Sequence, residues 1–400
     1  MRFLTRLHAC VAAAFVLVLY FSWLRPSLRI HDNIQRVWKG TAHRVVVFGD
    51  DWSDTGKYRV AAPPKATTLD RDPSRGDIWV EALCKTLNCD FIDNYARSIP
   101  ANVEMNTVGS VVAADVFANA TREGRNETLV LFDFQTQVQQ FIAFEEETRR
   151  RQIPDGVRKV DEWTVFTVFF GIWDLLEYSM LEKEAAIHAI DRSVDELMYN
   201  LDILADHVVG PVKVVMPKLV DVTFLPRYSN KKDKSATIFA QSQHQAVFLW
   251  TYWNMVLTRA ANEWGNGDLF MPDLHGMIVN QVRSKQLYSK QISDATGWGK
   301  QTPLFDEVEQ PCLAPKTDGS TGDLQAAAVE KCSNPANHLF WDDIRLSGPA
   351  HQLIGSEAAR LLHVNITVNR DARDRAIQQG TKNTERKQHK GFDLKFPPGY

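Results

Sequence analysis

Four hundred residues, 44% of them apolar, suffice for a sizeable hydrophobic core, and they leave room for one large α/β domain with extensions or for two smaller domains. A disordered or fibrous chain is excluded. The 46 basic and 49 acidic residues leave a net charge of −3, without the large positive field that nucleic-acid binding draws on, so a small molecule or a protein is the expected partner.

Arg2 and Arg6 precede an uncharged run from Ala9 to Leu24, which Arg25, Pro26 and Arg29 follow. The run is intermediate between a signal-peptide core and a full bilayer span, and its exit, Tyr20-Phe21-Ser22-Trp23-Leu24, lacks the small-x-small pattern of signal-peptidase cleavage. The expectation is a short tail over 1–8, an uncleaved membrane anchor over 9–24 and a basic stalk over 25–43. Arginines on both sides do not orient the anchor. The sequons at Asn119, Asn126 and Asn365 do, because N-glycosylation places the rest of the chain in the lumen or outside the cell. A secretory-pathway, single-pass protein is expected, with a secreted form as the alternative. Cys10 lies inside the apolar run. The other four cysteines form two local pairs, Cys84 with Cys89 and Cys312 with Cys332, the economical bridges among three possible pairings. No metal-ligand spacing accompanies them, and neither metal nor cofactor is expected.

The first buried strand is Arg44 to Phe48. Further strand-like runs cover Asp90 to Tyr95, Thr128 to Phe134, Trp163 to Gly171, Val212 to Val222 and Asp268 to Leu274. Continuous apolar runs such as Val45-Val46-Val47-Phe48 suit strands covered on both faces, as in a parallel sheet. Helical patterns lie between them at Ile78 to Lys85, Gln135 to Arg151, Ala185 to His207, Gln243 to Glu263 and Pro349 to Leu362. This alternation predicts a three-layer α/β/α sandwich over 44–363 with ligands at the carboxyl ends of the strands. The polar residues of 364–400 read as a disordered tail.

The segment Phe48-Gly49-Asp50-Asp51-Trp52-Ser53-Asp54-Thr55-Gly56 resembles the first block of the GDSL-type (SGNH) esterases. Other blocks follow in family order. They are Asp77-Ile78-Trp79-Val80-Glu81, Asn94-Tyr95-Ala96, Val138-Gln139-Gln140-Phe141, Phe170-Gly171-Ile172-Trp173-Asp174 and Phe340-Trp341-Asp342-Asp343-Ile344-Arg345. Six ordered blocks imply the flavodoxin-like fold of that family. The resemblance also assigns roles. Asp51 occupies the serine nucleophile's position and Arg345 the histidine's, while Asp342 remains as the orienting carboxylate. Ile99 and Trp173 stand at the oxyanion glycine and asparagine. Gly49, Asp50, Asp54, Thr55, Gly56, Gly171 and Asp174 are retained as structural residues.

A serine esterase needs a hydroxyl to attack, a histidine to take its proton and donors for the oxyanion. Asp51 cannot form the usual serine ester intermediate, and a guanidinium with pKa above about 12 is no base at neutral pH. Asp51 and Arg345 are instead expected to pair across the old site. The expected function is a degenerate esterase-like domain that binds a carbohydrate, an acyl ester or a protein partner. The alternative is an active ester hydrolase using Asp51 as base for direct water attack, assisted by Asp342 or His351; a glycan acyltransferase is a third possibility.

His351 reads as a helix residue and, more sharply, as a substitute base. His338 is expected to face solvent, and Ser53 to shape the turn. The acidic residues Asp50, Asp51, Asp54, Asp174, Asp342 and Asp343 suit either a hard cation or neutralisation by Arg345 and backbone donors. Trp52, Trp173 and Trp341 offer a sugar-stacking platform, although Trp341 reads more simply as core.

Overall fold

The computed structural model describes residues 44–60, 62, 71–98, 108–121, 131–151, 164–208, 212–229, 236–315 and 329–378. The expected anchor and stalk lie outside the described residues, as does most of 364–400. Among the described residues no helix is long and apolar enough to cross a membrane.

The elements are β1 (Arg44–Gly49), α1 (Trp79–Leu87), β2 (Phe91–Asn94), α2 (Ala114–Thr121), α3 (Phe134–Arg151), β3 (Thr164–Phe169), α4 (Ile172–Tyr178), α5 (Lys183–His207), β4 (Val212–Val215), α6 (Ala236–Glu263), β5 (Gly267–Phe270), α7 (Leu274–Ser289) and α8 (Gly348–Val364). A two-stranded hairpin, β6 (Leu313–Pro315) with β7 (Val329–Lys331), precedes α8.

β1 to β5 form one parallel sheet in the order β2-β1-β3-β4-β5. All six residues of β3 are buried, as a strand covered on both faces requires. Helices α1 and α8 pack together on one layer, while α5 packs against α2, α3 and α6 in the other. The chain passes from β1 outward to β2 and then back across to β3. This reversal opens a crevice at the carboxyl ends of β1 and β3, where doubly wound sheets bind ligands. Beneath it, Phe48 stacks on Phe166 at 6.4 Å and meets Phe134 and Phe141 edge-on at 5.6 and 5.9 Å, giving the crevice a stiff aromatic floor.

Three expectations are corrected. The strand expected at Thr128 to Phe134 is reduced, among the described residues, to one isolated bridge between Val111 and Asp133, and α3 starts at Phe134. Asp133 stops any strand there, because its carboxylate accepts from Thr136 N at 2.8 Å and Ala114 N at 3.2 Å. The run Val212 to Val222 is a strand only as far as Val215, after which Met216 N and Lys218 N still donate to Phe270 O and Pro272 O at 2.8 and 3.0 Å. Finally, order continues past 363: Asn369 is buried and 370–378 is helical. The Asn369 side chain donates to Trp264 O and Gly267 O at 2.6 and 2.9 Å and accepts from Leu269 N at 3.1 Å, so it caps the edge strand β5.

Candidate functional site

β1 ends at Gly49, which Gln137 of α3 grips twice, accepting from Gly49 N and donating to Gly49 O at 2.9 Å each. The chain then turns tightly, with Ser53 N and Asp54 N both donating to Asp50 O at 3.0 Å. Asp54 collects four donors: Gly56 N (2.9 Å), Asn94 Nδ2 (2.7 Å), Tyr58 OH (2.7 Å) and Ser98 N (2.8 Å). That carboxylate ties the β1 turn to the end of β2. Ser53 is buried and accepts from Trp79 Nε1 at 3.2 Å, so it shapes the turn.

Asp51 is fully buried at the centre of the crevice. Its Oδ1 accepts from Arg345 Nη2 at 2.5 Å and its Oδ2 from Trp173 Nε1 at 2.9 Å. Arg345 Nη1 donates to Asp342 Oδ2 at 2.9 Å, while Asp342 Oδ1 takes Ile344 N and Arg345 N at 3.0 and 2.6 Å. Asp51 therefore contacts Arg345 and Trp173, and Arg345 also contacts Asp342; of these contacts the sequence reading expected the Asp51–Arg345 pair. Burial works against the charge on Arg345, but Asp342 and Asp51 outweigh it and hold the guanidinium protonated. Burial likewise opposes the Asp342 carboxylate, yet Arg345 and Arg75 bring it below the usual range. Asp50 next door has neither help: burial and the Asp51 charge push it well above the usual carboxylate range. Burial pushes Asp174, at the start of α4, up to about 7.

Ile99 lies outside the described residues. The glycine that stands against the pair is Gly109, where an added Cβ would come within 2.5 Å of Asp51 Oδ2 and collide with Trp173 Nε1. Gly171, with φ 114°, turns the chain from β3 into α4, and a Cβ there would lie 2.6 Å from Leu219 and Trp253 atoms. Above Trp173 lies the guanidinium of Arg227, 5.0 Å from the ring centroid, and it is tied to Asp343 through Nε at 2.8 Å.

The tryptophan platform is not formed, since Trp52, Trp173 and Trp341 are all buried, and Trp52 Nε1 is spent on Ile344 O at 3.0 Å. Nor does His351 join the triad positions. It is fully buried in α8, and its ring hydrogen bond is to Arg75 Nη2 at 3.0 Å. Burial first, then Arg75 and Arg71, lower its pKa far below the usual value. His338 is half-buried rather than exposed, with Nδ1 against Gln310 O at 3.2 Å. Among the described residues no group of three or more metal-ligating side chains is arranged to hold an ion.

Both expected disulfides are present, Cys84 with Cys89 and Cys312 with Cys332. The second serves the site. Cys312 N and Leu313 N donate to Phe340 O and Trp341 O at 3.0 and 2.7 Å, bracing the loop that carries Asp342 and Arg345. Asn119 and Asn365 are exposed, and Asn126 lies outside the described residues. Sequence reasoning missed Arg75, Gly109 and Arg227. Arg75 ends the single 3-10 turn Pro73–Arg75, Arg227 lies in the four-residue helix Pro226–Ser229 and Gly109 lies in a loop, and all three stretches are too short for periodicity to mark a buried position.

No protein-family model matches this chain, and no curated protein matches it by sequence. Among solved structures it is similar to a carbohydrate acetylesterase from Sinorhizobium meliloti, at 11% identity and TM-score 0.34 over 80% of this chain and 99% of that one. It is similar to the inhibitor-bound aryl esterase of M. smegmatis, at 11% identity and TM-score 0.34 over 81% of this chain and 99% of that one. A third is an α/β hydrolase enzyme from the metagenome of Lake Arreo, Spain, at 13% identity and TM-score 0.29 over 80% and 94%.

Proposed function

We propose that this is an esterase-like domain whose catalytic positions have become a buried ion-pair lock, and that it acts by binding rather than by hydrolysis. One observation carries the reading: Asp51 is 0% exposed, with one oxygen committed to Arg345 and the other to Trp173. A nucleophile or general base must reach substrate or water within hydrogen-bond distance. Asp51 reaches neither while the lock is closed, which weighs against the alternative in which Asp51 activates water. The ordered family blocks supply the esterase-like part of the reading. The ligand would be a carbohydrate, an acyl ester or a partner protein met in the secretory pathway, with the domain tethered by residues 9–24.

The test is hydrolysis of a p-nitrophenyl ester panel, with fluorophosphonate labelling in parallel. Wild type should show neither turnover nor label, and the double variant Asp51→Ser, Arg345→His should acquire a labelled serine. Turnover by wild type that Asp51→Ala abolishes would overturn the proposal in favour of an active hydrolase.

A further inference from the structure

Three groups that meet the Asp51 carboxylate come from separate parts of the chain. Arg345 Nη2 reaches Oδ1 at 2.5 Å from the loop before α8, and Trp173 Nε1 reaches Oδ2 at 2.9 Å from the first turn of α4. Gly109 lies against the same Oδ2, so closely that a Cβ would collide with it. A guanidinium and an indole N–H only donate and a carboxylate ion only accepts, so both oxygens of one ion are matched to donors.

Each of the three is held by contacts that do not involve Asp51. Arg345 is fixed to Asp342 through Nη1 at 2.9 Å and through its backbone N at 2.6 Å. Trp173 is buried behind the Gly171 turn, with Arg227 5.0 Å from its ring centroid. The Gly109 backbone is anchored through its neighbours, as Ser110 Oγ donates to Arg97 O at 2.9 Å and Val111 N to Phe132 O at 3.0 Å. Donors fixed independently of their acceptor make a preorganised anion site.

We propose that Arg345, Trp173 and Gly109 form a receptor for a small carboxylate, and that Asp51 is its tethered occupant, an autoinhibitory contact that keeps free carboxylates out. The inference deepens the closed-lock reading and rests on it, but not on absence of hydrolysis. A tethered ion outcompetes a free one because its effective concentration is fixed by the chain. Shortening Asp51 vacates the receptor in defined steps. Asp51→Ala removes the carboxylate, which is the size of formate; Asp51→Gly removes the methylene as well, which together match acetate. Arg345 Nη2 and Trp173 Nε1 then both lose this acceptor, and a buried donor that has lost its acceptor favours refilling by a free ion.

The test is thermal unfolding of the full chain, refolded in sodium formate, sodium acetate or sodium chloride at equal ionic strength. The proteins are wild type, Asp51→Ala, Asp51→Gly and the double variant Asp51→Ala, Arg345→Met. Formate should raise the Tm of Asp51→Ala by several degrees along a saturating curve, and acetate by less. Asp51→Gly should respond to acetate at least as strongly as to formate. Wild type should respond to neither beyond the effect of chloride, and Arg345→Met should abolish the response of Asp51→Ala. No saturable response in either single variant, or an equal response in wild type or in the double variant, overturns the inference. Where a single variant does not fold in chloride, folding recovered in formate or acetate supports the receptor, and failure in all three salts overturns it. Should the double variant not fold, Asp51→Ala, Trp173→Phe replaces it, with a weakened formate response expected and an unchanged one counting against the receptor. Ester turnover plays no part in this readout, so the receptor and the non-hydrolytic reading fail separately.

Discussion

Asp51 Oδ1 and Arg345 Nη2 lie 2.5 Å apart, joining residues separated by 294 positions in the chain. Asp51 rides on the turn after β1, whereas Arg345 belongs to the loop before α8. The contact therefore joins the two segments on which the resemblance places the nucleophile and the base.

Cutting one side of this contact should be severe. Arg345→Met leaves two buried carboxylates without their shared partner, and breaking a buried pair in this way costs about 3–5 kcal/mol. Denaturant unfolding at pH 7 should show a loss of that order, and adding Asp51→Asn should recover much of it. A loss under about 1 kcal/mol would mean that the contact behaves like an exposed salt bridge.

Asp174 gives the domain a pH dependence of opposite sense to ordinary acid denaturation. Its folded pKa is raised to about 7, with burial as the first cause, from a reference of 3.8. The folded state thus holds this proton more tightly than the unfolded chain. Its stabilisation is fully present below the unfolded pKa and is lost as pH rises through about 7. Each pH unit crossed is worth up to about 1.4 kcal/mol. Asp174→Asn carries no titratable proton and can still accept from Val112 N, so it should gain on wild type between pH 4 and 7 and hold that gain above. Equal stability differences at pH 4.5 and pH 8 would contradict this origin.

His351 acts in the other direction. Its folded pKa is depressed by burial and by Arg75, so below about 6.5 the unfolded chain takes up a proton that the folded one refuses. Stability from this group is lost as pH falls. His351→Gln keeps an acceptor for Arg75 and should flatten the decline between pH 7 and pH 5. Unfolding curves at these two values decide it.

The parts of the molecule governed by periodicity were legible in the sequence. The apolar runs of β1 and β3, the helices α3 and α5, and the meeting of Asp51 with Arg345 all follow from patterns or from ordered blocks. What was not legible depends on long-range contacts. Arg75 lies in Asp72-Pro73-Ser74-Arg75-Gly76, a stretch whose composition reads as a solvated turn, and only its hydrogen bonds to Leu346 O and His351, 271 and 276 residues downstream, explain why its side chain is buried. Gly109 is hidden for a related reason: the distance in sequence from Asn94 to the glycine that faces Asp51 is set by loop length, not by a repeat. The tryptophans were ambiguous because a residue that fills a core and one that stacks on sugar look alike in sequence.

The two disulfides should differ in worth. Cys312 and Cys332 are 20 residues apart and Cys84 and Cys89 only five, so the chain-entropy model assigns about 3 and about 2 kcal/mol respectively. Replacing Cys312 and Cys332 by serine should in addition loosen the loop holding Asp342 and Arg345, since Cys312 N and Leu313 N brace Phe340 O and Trp341 O. Hydrogen exchange at Arg345 N, which donates to Asp342, should accelerate in this variant and not in the Cys84, Cys89 one. Equal acceleration in both would show that the hairpin does not support the site.

Asn369 was expected in a disordered tail and instead completes the sheet edge. The composition of 364–400 concealed it, because a single buried asparagine carries no periodic signal among charged neighbours. Its three hydrogen bonds satisfy Leu269 N and the carbonyls of Trp264 and Gly267, and Arg373 from the following helix pairs with Asp268. Asn369→Ala would leave a buried donor and two acceptors without a partner, at about 1–3 kcal/mol for each group that water cannot reach. We expect a drop of at least about 2 kcal/mol by denaturant unfolding, together with faster exchange of Leu269 N. Arg373→Gln should cost less than Asn369→Ala, because Arg373 is partly exposed and water can reach its side of the pair, although Asp268 itself is buried. If Asn369→Ala proves neutral while Arg373→Gln does not, the edge is held by charge and not by the asparagine cap.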